Sequence, residues 1–405
     1  MHTRVEMNKN NRHRAWGQAL ILGLLATGMT ACGEKEQKEE LKVSYESIAG
    51  NQEITGSYDL PQILESGELI AVTLSGPDTY YEYREKPTGL QYELAERFAT
   101  QIGASLRIEV VKDTAELVKR IVDNDADLIA VELDVTPFGK VLQACGSYSQ
   151  NGKEKKKSWA VSKGATELAE ALDKWYRPEL KKAVQTEESR KFLPQFLVRR
   201  RPRAPFLSRS QGIISPYDAH FKRHASAINW DWRLMAAQCY QESAFDPNAV
   251  SWAGARGLMQ IMPSTAQHLN LPMEQIYQPE RNIQAAAKYL RELEYKFSDI
   301  NPREERLWFV LASYNGGAGH IQDARTLARN AGRNANRWDE VKHFVLNLSD
   351  PRFYNSREVK YGYMRGSETY QYVESIRSRW TEYRRVAKPE RMPTKAKGER
   401  KKKFR

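Results

Sequence analysis

Between Gly67 and Leu133 the apolar positions come in runs whose period switches. "LIAVTL" (69–74), "LRIEVV" (106–111) and "ADLIAVEL" (126–133) are short, nearly continuous and rich in β-branched residues, which predicts buried strands. "LQYELAERFATQIG" (90–103) and "TAELVKRIVDN" (114–124) place apolar residues three and four apart and predict amphipathic helices. The order is a βαβαβ unit with a parallel sheet. From residue 216 the period is helical and stays so. "YDAHFKRHASAIN" predicts one helix and "DWRLMAAQCYQES" the next, with Asp231 placed to cap its first turn. Leu234, Ala237, Cys239 and Tyr240 cluster in that second helix, so it is expected to be largely buried. The predicted fold class is therefore an α/β amino-terminal domain (55–198), a basic, proline-punctuated linker "RRRPRAPFLSRSQGIIS" (199–215) and a mainly α domain (216–386).

The amino terminus changes the picture by setting a compartment. Lys9, Arg12 and Arg14 precede an apolar run from Ala15 to Met29 that is too short to span a bilayer and ends in small residues before Cys32. This is a signal-peptide pattern (1–31). Its ending, "GMTAC", resembles the lipobox of bacterial lipoproteins, with Met29 where leucine is usual; that resemblance implies a lipid on Cys32. The charged stretch "GEKEQKEE" cannot bury a core and reads as part of a tether, 32–54. The expected location is the cell envelope, as an outer-membrane-anchored lipoprotein facing the periplasm.

The net charge of +12 is uneven: Lys388 to Arg405 carry nine Lys/Arg against two Glu, so the tail (387–405) is expected to be disordered. With an export signal this basicity points to anionic envelope polymers or solvation, and nucleic acid is not an expected partner. Cys145 and Cys239 fall in different predicted domains, which argues against a disulfide framework. Neither a metal nor a cofactor is expected.

The candidate chemistry lies in "QESAFDPNAVSWAGARGLMQIMPSTA" (241–266), where one glutamate ends an apolar helix and a loop rich in small residues follows. Glu242 at a buried helix C-terminus faces the negative end of the macrodipole and apolar packing, and both raise a carboxyl pKa. A carboxylic acid held protonated near neutrality is what a general acid requires. Gly254 and Gly257 let backbone approach a ligand, while Ser251 and Gln260 add a hydroxyl and an amide. "LASYNGGAGHI" (311–321) contributes an aromatic, an amide and glycines at the end of another helix, the groups a glycan site uses. The nearby acid Asp246, in "DPN", reads as a turn former bonding its own backbone.

"ESAFDPNAVSWAGARGLMQIMPSTA", "ASYNGGAGHI" and "SETYQYV" (367–373), in this order, resemble the motifs of the soluble-lytic-transglycosylase domain of the lysozyme-like superfamily. "GELIAV", "PTGLQYELAERFA" and "DLIAVEL" resemble the first lobe of family 3 periplasmic solute-binding proteins, and "SWAVSKGATELAEALDKWY" (158–176) the segment returning to that lobe. Between Leu133 and Ser158 only 24 residues stand where a second lobe would be, so a two-lobed amino-acid clamp is not expected. Together the two parts resemble a family of membrane-bound lytic transglycosylases, shortened in the first domain.

That resemblance implies that Glu242 is the sole catalytic acid/base, that Ser251, Gln260, Met262, Tyr314 and Asn315 line a glycan cleft, and that Glu368 belongs to the closing motif. It implies cleavage of the β-1,4 bond between N-acetylmuramic acid and N-acetylglucosamine without water, the substrate's acetamido oxygen taking the part of a second carboxylate. The partners would be peptidoglycan strands, a membrane through Cys32, and candidate cell-wall enzyme complexes. Two alternatives stay open at this stage: a goose-type lysozyme using water, and a non-catalytic peptidoglycan-binding lipoprotein.

Overall fold

The structure, a computed structural model, describes residues 58–146, 157–193 and 197–388. All of these residues lie in one compact unit. The signal peptide, Cys32, the tether and the tail beyond Lys388 lie outside the described residues.

The amino-terminal part is a five-stranded mixed sheet in the order β4 (Ser105–Val111), β1 (Glu68–Leu74), β5 (Leu128–Leu133), β7 (Ser158–Ser162), β6 (Leu142–Cys145). Strands β1, β4 and β5 are parallel, as the βαβαβ pattern predicts. Strands β6 and β7 join antiparallel, so the 24-residue gap contributes an edge strand where a second lobe would be. Both faces of the sheet are covered. Leu69, Ala71 and Leu128 pack with Leu94 and Phe98 of helix Leu90–Ile102 on one side. Val72 and Ile129 meet Leu117 and Ile121 of helix Thr114–Val122 on the other.

Between β1 and the first crossover helix the chain makes an antiparallel hairpin from β2 (Tyr81–Tyr83) and β3 (Lys86–Thr88). The period-2 pattern of "YEY" was too short to announce it. Its two-residue turn is Arg84-Glu85, with φ of 47° and 62°. Two left-handed residues are what the tight hairpin turn needs, and Asn-Gly is the usual way to supply them.

The carboxy-terminal part is a helical bundle with its own core. At its centre lies helix Trp232–Ser243, buried nearly all round and packed on the long helix Gly366–Val386 and on Asp218–Ser226. Asp231 caps it by accepting from the Arg233 amide, as the pattern predicts, and also accepts from the Trp380 indole. The stretch read as a linker lies along this bundle. Strand β8 (Val198–Arg199) pairs with β9 (Val250–Ser251), the Arg201 amide donates to Asp246, and Phe206 is buried in the helical core. Cys145 and Cys239 are buried free thiols.

Candidate active site

Glu242 occupies the last turn of the central helix, which Ala244 ends by turning left-handed (φ 49°), followed by Phe245 at 61°. Two consecutive non-glycine residues in this region are strained, the kind of backbone that persists where tertiary packing imposes it, often at functional sites. Both are buried here, Phe245 under Phe221 and Tyr240. The turn leaves Glu242 inside, 2% exposed.

One carboxylate oxygen, Oε1, accepts from the Tyr372 hydroxyl at 2.6 Å; the other, Oε2, faces Arg84 Nη1 at 3.3 Å. Burial pushes the Glu242 carboxyl above the usual carboxylate range, although the Arg84 charge and the Tyr372 hydroxyl oppose it. Burial works against the Arg84 charge too, and Glu242 together with Tyr83, Glu368 and Tyr372 more than offsets that. Tyr372 is itself pushed well up by burial, with Glu242 beside it, and so remains a donor.

The loop after the helix is held by one side chain that the sequence pattern did not single out, Asn282, and by Gly257 and Asp246, which it did. Asn282, fully buried, accepts from the Met259 amide and donates to the carbonyls of Ile276 and Arg256. Gly257 has φ 79°, and a Cβ there would sit 2.7 Å from the Ile276 oxygen and 2.4 Å from the Asn282 amide, so the close approach needs glycine. Asp246 accepts from the amides of Asn248 and Arg201, which commits it to backbone.

Gln260 (φ 50°) donates to the carbonyls of Ala249 and Gly257. Tyr314 donates to the Met259 carbonyl at 2.8 Å. Asn315 accepts from Thr369 at 2.6 Å. With Met262, these three line a cavity of about 220 Å³. The buried Gln260 Oε1 and Asn315 Nδ2 have no hydrogen-bond partner among the described residues. An acceptor and a donor thus remain for a ligand. Ser251 sits apart from that lining, its oxygen accepting from the Ala255 amide and its backbone paired with Val198. Glu368 borders a small neighbouring cavity and accepts from the Tyr83 hydroxyl at 2.7 Å.

Two of the groups on Glu242 escaped the sequence reading. Tyr372 stands four residues after Glu368 in "SETYQYV", and helical spacing alone could have placed the two on one face. Arg84 carries no comparable signal, because its turn lacks the Asn or Gly that marks such hairpins.

Residues 220–336 match the Transglycosylase SLT domain family. The chain is similar to a membrane-bound lytic murein transglycosylase F of Serratia proteamaculans, 30% identical over 417 residues that cover 78% of this chain and 84% of that protein. A counterpart from Aeromonas hydrophila is 28% identical over 427 residues, covering 82% and 85%. An alignment of 427 positions that takes up about 332 of the 405 residues here leaves roughly 95 positions of the relative without a counterpart, 427 less 332. Among solved structures, the 70 kDa soluble lytic transglycosylase of Escherichia coli shares 28% identity over 42% of this chain and 24% of its own, at a TM-score of 0.28.

Proposed function

The chain belongs to the membrane-bound lytic murein transglycosylase F family and is a peptidoglycan lytic transglycosylase, and from that premise we propose that Glu242 is its single catalytic acid/base. The observation that carries this is the placement of Glu242, buried with its two oxygens on Tyr372 and Arg84. Asp246 is spent on backbone amides and Glu368 is held by Tyr83. Glycosidases that use water ordinarily flank the bond with two working carboxyl groups. A single acid suits a reaction whose second group comes from the substrate.

The protonated Glu242 carboxyl gives its proton to the bridging oxygen as the C1–O bond of N-acetylmuramic acid breaks. The acetamido oxygen closes on C1 to form an oxazolinium. The Glu242 carboxylate then takes the proton of the C6 hydroxyl, whose oxygen displaces the acetamido oxygen at C1. The product is a 1,6-anhydro end, the acid is regenerated and no water is consumed. An aligned intramolecular hydroxyl can have an effective molarity of roughly 10⁵ M or more, enough to outrun water. That makes the reaction an elimination-type (lyase) cleavage of polysaccharide, distinct from a goose-type hydrolase.

Gln260 Oε1 and Asn315 Nδ2 are the free groups for sugar hydroxyls. Tyr314, whose proton is committed to Met259, offers its oxygen to the acetamide N–H, whereas Ser251, apart from the cavity with its oxygen on the Ala255 amide, holds the loop. Glu242→Gln keeps the shape and removes the proton, so turnover of purified sacculi should fall by ~10² to 10⁴ while glycan binding survives. Mass spectrometry should find wild-type ends one water lighter than hydrolysis products. Reducing muramic acid as the main product would place the enzyme among the hydrolases.

Similarity to membrane-bound relatives supports envelope association. Among the described residues no helix is long and apolar enough to cross a membrane. We infer that a lipid on Cys32 makes the attachment, as an outer-membrane lipoprotein, on the strength of "GMTAC". Labelled palmitate should enter the wild-type protein and not Cys32→Ala; equal labelling of both would exclude the anchor.

A further inference from the structure

A second, open cavity of about 760 Å³ lies against helix Pro263–His268, on a different face from the glycan cleft. The two spaces share that helix as a wall: Met262 and Thr265 line the cleft, and Pro263, Ser264 and Gln267 line the second cavity. Arg256 is the one charged residue among the described residues of its lining. The Arg256 Nε is buried without a hydrogen-bond partner among the described residues, and no carboxylate among them pairs with its guanidinium. The root of the side chain is fixed, because the Arg256 and Ile261 amides donate to each other's carbonyls at 3.0 Å and Asn282 also donates to the Arg256 carbonyl. Its donors are therefore positioned and unspent.

A buried N–H without an acceptor costs stability, and a carboxylate gripped by two parallel guanidinium N–H groups removes that cost. The rest of the lining is apolar or amide. Leu271, Pro272 and Met273 form an apolar strip, with Met273 37% exposed, and methionine adapts its shape to an apolar ligand. The exposed side chains of Gln267 and Asn270 supply amides that can pair with peptide groups. The Ser264 hydroxyl is given to Glu85. One unpaired cation, an apolar strip and two amides suit a short acidic peptide better than a sugar.

Peptidoglycan carries such a peptide on the lactyl group of its muramic acid, a stem of small apolar residues and free carboxylates. Four extended residues reach about 13 Å. A helix with its side chains is about 10–12 Å across, so a stem rooted on a sugar in the cleft can cross the shared wall.

We propose that this cavity is a stem-peptide subsite: Arg256 pairs with a carboxylate of the stem, while Gln267, Asn270 and Met273 receive its chain. This rests on peptidoglycan being the substrate of the Glu242 site, and the test separates the two ideas. The full chain is given purified glycan strands that keep their stems, and the same strands stripped by an N-acetylmuramoyl-L-alanine amidase. Initial rates of product release give kcat/KM on each form. Calorimetry with Glu242→Gln gives the affinity for each form without turnover.

Wild type should prefer stem-bearing strands. Arg256→Gln should lower the ratio of kcat/KM, stem-bearing over stripped, by roughly tenfold, the loss of one charge-assisted pair. The change should sit in KM, as for an interaction made equally in ground and transition states. Gln267→Glu, at an exposed position, brings a like charge to the stem and should lower the same ratio. Ratios equal to wild type in both variants would overturn the subsite. So would an Arg256→Gln protein whose rates fall alike on both forms, since Arg256 would then serve the loop or the glycan. A wild-type chain that turns over neither form would count against the Glu242 reading alone, and affinity would then decide. A stem preference present in Glu242→Gln and lost in Arg256→Gln/Glu242→Gln sustains the subsite; equal affinity for the two forms sinks it.

Discussion

At Glu242 three influences compete, and their signs set the pH dependence. Burial favours the neutral acid; the Arg84 charge and the Tyr372 hydroxyl favour the anion; the net direction is upward. The cleavage step uses the protonated form, so activity should fall as pH rises through this raised pKa. Tyr372→Phe removes a donor that stabilises the anion, which raises the pKa further. The high-pH limb of kcat should therefore move to higher pH while kcat itself drops, because the acid loses the bond that aims it. The same change strands a buried carboxylate oxygen, at a cost of about 1–3 kcal/mol in stability. A limb that stays in place, followed across the alkaline range with sacculi, would show that Tyr372 does not touch the working acid.

Among the elements, the central helix and the hairpin were unequally legible. Helix Trp232–Ser243 carries its start and its burial locally, in an Asp cap and apolar residues on every side, while its stop at Ala244 is imposed by packing. Its pattern marks it as buried wherever the rest of the chain goes. The hairpin carries the opposite kind of sequence. Tyr81, Tyr83 and Lys86 alternate like a strand, but Arg84-Glu85 is a poor turn by local preference, and only contacts more than 150 residues away, to Glu242, Ser264 and Thr265, make that turn worth forming. The antiparallel strand β6 was hidden for a similar reason, since four residues of "LQAC" gain their strand character from pairing with Trp159 to Ser162.

For the whole molecule, the question is what keeps the hairpin in place. The two domains meet along a seam beside it. The Tyr363 amide donates to the Ser75 hydroxyl at 2.8 Å, Lys112 Nζ donates to the Val359 carbonyl at 2.7 Å, and Tyr81 meets the Tyr363 ring edge-on. Gly362 (φ 73°) packs so closely that a Cβ would lie 2.2 Å from Ser75 Oγ and 2.7 Å from its Cβ. Gly362→Ala should therefore loosen the seam without altering any group bonded to Glu242. Its expected effect is a lower melting temperature, read by scanning calorimetry, with the products released from sacculi unchanged. A melting temperature equal to wild type would mean that the close approach of Gly362 to Ser75 does not hold the seam.

Whatever depends on neighbours a few residues apart was legible along the chain. The parallel βαβαβ order, the capped and buried central helix, the turn-forming Asp246 and the single glutamate at that helix's end all follow from periodicity, capping and side-chain type. The tertiary structure decided what depends on which distant groups share a low-dielectric interior. Arg84 and Tyr372 lie 158 and 130 residues from Glu242, and no local rule could bring them to its two oxygens. Tyr314 and Gln260 were legible as cleft chemistry, but the commitment of their donors to backbone carbonyls, and the freedom of Gln260 Oε1, appear only once the loop is closed by Asn282. The physical reason is range: backbone preference and hydrophobic period act within a turn or a strand, whereas burial and charge act through space, and space is defined only after the domains have docked.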